Sequence, residues 1–360
     1  MYKKIFPKDI YFVNHCLPDS NFLEPEKQLD SMSGNIGNTY IMYCISKILF
    51  GYVVNVNEID GISNLFNTDL ENIDTDYINK NYKYLIINMQ DQLRRDISYY
   101  SNTDLIFKNV NNFLNKINIE IICFGLGSNC FDIKNFNNII DELHDSQIKF
   151  IKIISNKCKN FSIRGKYTKL IMDKLNIQNY SMVGCPTFFM NSKKIIKKNI
   201  EKIVIAGTLP YINQNTGNLN IFDCEIPKNI ELFYFCQDIY ERDIIEKQQI
   251  NKINIVFLSD LEEINFFFKD KDLTLGTRVH ASIISLNNNC LAICGNGDSR
   301  AKEMCELFKI PHINDYPNKN IYEIVDEIDI KLIEDNYICL KKNHDDFLDK
   351  IIKDNDSFDY

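Results

Sequence analysis

The sequence predicts a two-domain α/β protein built of parallel sheets with crossover helices, on three observations. The chain has 360 residues, 45% of them hydrophobic. That is enough for more than one core, because domains commonly hold about 100–200 residues each. Short β-rich apolar runs alternate with helix-length stretches along the whole chain, the pattern of strands joined by crossover helices. The second half then repeats the style of the first, across a polar stretch at 191–199.

In chain order, residues 83–88 (KYLIIN) and 119–124 (IEIICF) read as buried strands, the latter followed at once by Gly125, Leu126, Gly127 and Ser128. Helix-like stretches cover 136–144 and 167–175. The segment NSKKIIKKN at 191–199 reads as a short solvated boundary, dividing the chain into domains 1–195 and 196–360. Strands are expected at 201–206, 232–236, 253–258, 272–275 and 290–294, with a helix at 280–286 and another at 304–308 ending before Pro311. From about residue 321 a helical tail runs on and frays into DNDSFDY. No internal repeat or low-complexity linker interrupts the pattern. Two such halves facing each other form a cleft, and ligands of these folds bind at the carboxyl ends of the strands.

Composition narrows the function. A net charge of −8 repels polyanions at long range, and no Lys/Arg stripe with interleaved aromatics appears, so nucleic acid is not an expected partner. The twelve cysteines are scattered, none in a C-x-x-C pair. Cys290 and Cys294 have no second Cys or His pair to complete a zinc set, so no metal site is expected. Residues 1–12 hold no apolar run of signal-peptide length, and no stretch reaches the ~18–20 apolar residues of a spanning helix. The expected location is cytoplasmic, free or peripheral to the membrane.

Five segments could carry chemistry. Gly34, Asn35, Ile36, Gly37 and Asn38 precede a long apolar run. Glycines there let a ligand approach the backbone at a helix N-terminus, although the spacing is neither a dinucleotide fingerprint nor a P-loop. A plain N-cap turn reads equally well. Arg164, at the end of an apolar segment and followed by Gly165, could aim a guanidinium at a carboxylate or phosphate, or be a surface residue near a turn. Cys185 follows Gly184 at a strand end, with no partner evident. The strongest segment is Gly276-Thr277-Arg278-Val279-His280, where a strand ends and a polar pair stands at the start of a helix. Asp298, Ser299 and Arg300 repeat that setting about twenty residues on, as cleft groups, as a helix cap, or as both.

Taken in order, GNIGN, FGLGS, SIRGKYT, VGCPTFF, GTRVHASI and GDSRAKEM…FKIPH resemble the polysaccharide pyruvyl transferase family over residues 34–312. The resemblance implies two facing Rossmann-like domains, similar to the GT-B glycosyltransferase fold, with the acceptor on the N-terminal side and the donor on the C-terminal side. It implies transfer of the pyruvyl unit of phosphoenolpyruvate onto two hydroxyls of a saccharide acceptor, free or lipid-linked, with no further cofactor. Arg164, Arg278 and His280 match its functional positions. Arg278 and Arg164 are expected on the donor anion and His280 in proton transfer or phosphate contact. Gly34, Asn35, Gly276, Thr277, Asp298, Ser299 and Arg300 are expected to line the substrate site. Two other readings stay open: a glycosyltransferase whose nucleotide-sugar diphosphate is held by Arg278 and Arg300, and a non-catalytic carbohydrate-binding relative.

Overall fold

The computed structural model describes residues 5–15, 35–54, 58–66, 68–90, 92–94, 102–129, 139–196, 199–212, 219–222, 224–247, 253–295, 297–316 and 319–352. Gly34 and residues 353–360 of the expected tail lie outside them, as do residues 136–138 of the expected helix at 136–144.

In the first half, β1 (Ile10–Val13), α1 (Ile36–Phe50), β2 (Asp60–Ile62), α2 (Thr75–Asn81), β3 (Tyr84–Asn88), α3 (Thr103–Lys116) and β4 (Glu120–Phe124) follow in order. Then come α4 (Ile139–Glu142), α5 (Asp145–Lys157), β5 (Phe161–Ile163), α6 (Lys166–Lys174) and β6 (Tyr180–Met182). Strands β2-β1-β3-β4 make one parallel sheet, and β5 and β6 pair in parallel beside it, linked by a bridge from Leu126 to Ile163.

The second half opens with β7 (Lys202–Ala206), followed by the short antiparallel set β8 (Tyr211–Ile212), β9 (Leu219–Ile221) and β10 (Cys224–Glu225). It continues through β11 (Glu231–Phe235), α7 (Ile239–Lys247), β12 (Ile253–Val256), α8 (Leu261–Lys269), β13 (Leu273–Gly276), α9 (Val279–Asn287), β14 (Leu291–Cys294) and α10 (Ser299–Phe308). Helices α11 (Ile321–Glu327) and α12 (Ile330–Ile352) close it. The sheet order β12-β11-β7-β13-β14 is parallel throughout. Renumbered from β7, it reads 3-2-1-4-5, the Rossmann order, and the first sheet reads 2-1-3-4. The expected α/β class with paired parallel sheets is what the chain adopts.

Inside the edge strands β2 and β12, both sheets are largely buried on both faces, as parallel sheets require. In the first, Ile10, Phe12, Ile86 and Ile122 point to one core, while Tyr11, Val13, Leu85, Ile87 and Ile121 point to another. In the second, Ile203, Ile205, Leu273 and Leu275 face the same core as Ile10 and Phe12, whereas Val204, Ala206 and Phe235 face a third. One apolar core therefore runs from sheet to sheet. It takes in α1 and the end of α12, where Phe347 meets Phe124 edge-on at 5.7 Å.

The expected solvated boundary needs one correction. Lys193 is only 5% exposed. Its Nζ donates to the carbonyls of Phe188 and Asn191 at 2.8 and 3.0 Å and to Asn287 Oδ1 at 2.6 Å, and it lies over the rings of Phe188 and Tyr337. A Lys-rich stretch reads as solvated when only local composition is considered. Here three acceptors and two aromatic faces compensate the lost water.

Candidate functional site

In doubly wound sheets the crevice for a ligand opens where the strand order reverses. For the second sheet that point lies between β7 and β13. Gly276, last residue of β13, is in register with Ala206 of β7, and a Cβ on it would come within 1.9 Å of the Ala206 carbonyl oxygen. Only glycine permits that approach. Thr277 then donates its hydroxyl to the Gly207 carbonyl at 2.7 Å, and Arg278 stands as N-cap of α9 with no side-chain cap bond. Arg278 is thereby delivered to the mouth of the crevice.

Its guanidinium meets two carboxylates on the far side. Nε donates to Glu241 Oε1 at 2.6 Å, and Nη2 reaches Asp238 Oδ2 at 3.0 Å and Glu241 Oε1 at 2.5 Å. Burial is the first cause that raises the Glu241 carboxyl, with the Arg278 charge working against it. Asp238 and Glu241 escaped the sequence reading. Their only local signal is two acids three residues apart at a helix start.

His280, two residues on, is turned toward the N-terminal half. Its Nε2 lies 3.7 Å from Cys185 Sγ, which also accepts from Thr187 Oγ1 at 3.0 Å. The ring packs over the first turn of α1, where a Cβ on Gly37 would come within 2.7 Å of His280 Nδ1. Asn35 caps that helix, its Oδ1 accepting from Gly37 N at 2.8 Å. Three motifs far apart in sequence thus meet at one imidazole, and Cys185 acquires the partner that sequence alone did not supply. The far end of α9 is tied to the same half. Asn287 Nδ2 donates to the Thr187 carbonyl at 2.8 Å and its Oδ1 accepts from Lys193.

Arg164 lies deeper, 1% exposed, with Nε donating to the Gly125 carbonyl at 3.0 Å. A Cβ on Gly125 would stand 3.8 Å from that Nε and 3.9 Å from Pro186, so Arg164 and the Cys185 segment are neighbours. The Arg164 charge also acts on Glu303, a buried carboxylate of α10 that sequence reading missed. Glu303 accepts from the backbone N–H groups of Tyr167 and Thr168 at 3.0 and 3.3 Å and from Thr168 Oγ1 at 3.2 Å, and so caps α6. Burial raises its carboxyl to about 7, with those bonds and Arg164 opposing.

Asp298, Ser299 and Arg300 form a separate group. Asp298 caps α10 through Ala301 N at 3.0 Å, accepts from Asn129 Nδ2 at 3.0 Å and pairs with Arg300 at 3.2 Å. Ser299 is buried, its hydroxyl 3.4 Å from Asn129 Oδ1. The Asn129 contact joins the loop after β4 to the loop after β14. With the Cys185–His280 contact, it turns the carboxyl ends of the two sheets toward each other, the GT-B arrangement.

Two grooves lie elsewhere, one between α10 and α12 around Lys302, Tyr316 and Asp329, the other along α1 and α8 around Tyr43, Phe266 and Asn288. Neither is lined by Arg164, Arg278 or His280. Among the described residues no three His, Cys, Asp or Glu side chains cluster as a metal set, and no helix is long and apolar enough to cross a membrane.

The sequence model of a family described as Polysaccharide pyruvyl transferase matches residues 35–294. No curated protein matches the chain. Among solved structures, a UDP co-structure of S. aureus MnaA is similar at 10% identity over 84% of this chain and 80% of that one, with a TM-score of 0.41. UDP-N-acetylglucosamine 2-epimerase from Rickettsia bellii is similar at 11% identity over 96% of each chain, TM-score 0.45. Anabaena Alr3699/HepE in complex with UDP and glucose is similar at 9% identity over 94% and 98%, TM-score 0.43.

Proposed function

Because the chain belongs to the polysaccharide pyruvyl transferase family, we propose that it transfers the pyruvyl unit of phosphoenolpyruvate to two hydroxyls of a saccharide, releasing phosphate. The observation that carries the reading is the turn after β13, where a guanidinium and an imidazole stand two residues apart at the switch point of the second sheet, against the first turn of α1.

The chemistry asks for two things. The donor bears a carboxylate and a phosphate, so an acidic protein must concentrate cations at one place. Arg278 supplies the cation at the crevice mouth, and Arg164, neighbour of the Pro186 segment, is the second cation we assign to the donor. A proton must also move. Carbon 3 gains one, carbon 2 becomes oxocarbenium-like, and a saccharide hydroxyl forms the new C–O bond as its proton leaves. The phosphate then departs with the electrons of its C–O bond, and the second hydroxyl closes the ketal and gives up its proton. His280 is the group we assign to this proton traffic. Its ring is fixed between Cys185 and Gly37 and so is already oriented before substrate arrives.

In this reading the segment around Asn35 and Cys185 is the acceptor side and the ends of β7 and β13 are the donor side, with the division of the chain near residue 195. The test is a reaction with phosphoenolpyruvate and a panel of saccharides. Phosphate release matched by an acid-labile ketal on the saccharide is the expected result. Consumption of a nucleotide sugar, with phosphoenolpyruvate untouched, would overturn it in favour of glycosyl transfer.

A further inference from the structure

Among the described residues, the guanidinium of Arg278 is held along one edge. Nε and Nη2 are engaged with Glu241 and Asp238, and Nη1 takes part in none of those bonds. The carboxylates are themselves fixed. Glu241 is 8% exposed, and its second oxygen accepts from Gln237 N at 2.8 Å. The Glu241 N–H donates to Asp238 Oδ1 at 2.7 Å. The carbonyl of Gln237 in turn accepts from Ile36 N at 3.2 Å, in the first turn of α1. A chain of bonds therefore runs from the helix that bears Gly37, through Gln237 and Glu241, to the guanidinium.

Two roles fit such a pair of acids, and they predict opposite signs. If the carboxylates only offset charge, they weaken the attraction of Arg278 for an anion, and removing one strengthens it. If they aim the group, removing one lets the long side chain sample other rotamers and weakens binding. The geometry favours aim: both engaged nitrogens lie on the same edge, and the principal anchor is buried and bonded through both oxygens. We propose that Glu241, assisted by Asp238, is a positioning residue that presents the Nη1 edge of Arg278 to an anionic group of the substrate. This rests on the donor reading above for the identity of that anion. It also makes Arg278 a one-edge contact and not a two-edge fork, so a lysine at this position would carry the charge without the aim.

The experiment uses the full chain and two readouts. The first is the dissociation constant for phosphoenolpyruvate in the wild type, Glu241→Gln and Asp238→Asn. Binding weaker by about tenfold in Glu241→Gln, with a smaller loss in Asp238→Asn, is expected for one charge-assisted anchor. Unchanged or tighter binding would overturn the proposal. The second is hydrogen exchange of the Arg278 Nε–H by NMR without ligand. Protection in the wild type and its loss in Glu241→Gln are expected; equal exchange in the two would overturn it. Should the wild type fail to bind phosphoenolpyruvate, the donor reading fails and the exchange measurement still decides the positioning role. Thermal unfolding of each variant confirms that a folded protein is being compared, and Asp238→Asn, altering the more exposed partner, serves if Glu241→Gln does not fold.

Discussion

Each sheet has one point where its strand order reverses, and the two points are built in opposite ways. At the β1/β3 point of the first sheet, Asn14 and Asn88 close the strand ends on each other. Asn14 Nδ2 donates to the Asn88 carbonyl at 2.9 Å, Asn88 Nδ2 to the Asn14 carbonyl at 3.3 Å, and Asn14 Oδ1 accepts from Leu65 N at 2.7 Å. His15 beside them is buried, and burial lowers its imidazole to about 4, so it is neutral at physiological pH. At the β7/β13 point of the second sheet, glycine brings the strands together and the next residues turn outward. There Arg278 and His280 take their partners from elsewhere in the chain. The first arrangement uses its amides to join the strand ends, and the two atoms left there without a hydrogen-bond partner among the described residues, Asn88 Oδ1 and His15 Nδ1, belong to uncharged groups. The second holds a guanidinium by its Nε and Nη2 and sets an imidazole against Cys185 and Gly37 of the other half. Position in a fold nominates a crevice; the side chains that end the strands decide whether it can do chemistry.

The largest expected effect falls on the second point. His280→Ala should lower turnover by about 10²–10⁴-fold, the usual contribution of a positioned acid–base group. Turnover close to wild type would remove His280 from the reaction. Gly37→Ala tests the cradle without touching the imidazole. The added methyl would press on His280 Nδ1 from 2.7 Å, and displacement of a catalytic group by about 1 Å can cost about 100-fold. We expect a turnover loss of about 10–100-fold with little change in unfolding temperature, since alanine is the better helix former. Equal turnover would mean that the ring has room to move.

Lys193 tests the clamp on the far end of α9. Burial is the main cause that lowers its ammonium from 10.5 to about 7. Between those values the unfolded chain holds the extra proton, so this group makes native stability rise with pH, by about 1.4 kcal/mol per unit from about pH 7 to about pH 10. In Lys193→Met that rise is absent. The stability of the wild type minus that of the variant, from denaturant unfolding at pH 7.5 and 9.5, should therefore rise toward the higher pH, and an unchanged difference would contradict a Lys193 whose ammonium is depressed by burial. The smallest expected effect on activity belongs to the closed switch point. Asn14→Ala leaves buried polar groups of Leu65 and Asn88 without their partner and should cost about 1–3 kcal/mol of stability while turnover per folded molecule stays near wild type. A collapse of turnover in that variant would break the contrast between the two sheets.

What the sequence made legible follows the same division. The turn at Gly276–His280 could be read because its signal is local: an apolar run, a glycine, a polar pair, then an apolar helix. Asn35 and Asp298 cap α1 and α10, as one of their readings has it, and that pattern too is local. The partners were not legible. Cys185 meets His280 across 95 residues and Glu241 meets Arg278 across 37, and neither spacing leaves a trace in composition. Lys193 looked solvated because its neighbours are lysines, whereas its burial is set by Phe188, Tyr337 and Asn287 from three other elements. Strands β1 and β5, four and three residues long, carry no turn signal as clear as the glycines that end β13 and follow β14.

Arg278 is proposed to hold phosphoenolpyruvate at the turn after β13. The direct test is thermal unfolding of the wild type and Arg278→Ala with phosphoenolpyruvate or with a panel of nucleotide sugars. A ligand at about 100 times its Kd adds about 2.7 kcal/mol to native stability. Tm is expected to rise with phosphoenolpyruvate in the wild type, and Arg278→Ala to abolish the rise. A rise with a nucleotide sugar alone, or an undiminished rise with phosphoenolpyruvate in Arg278→Ala, would contradict that role of Arg278.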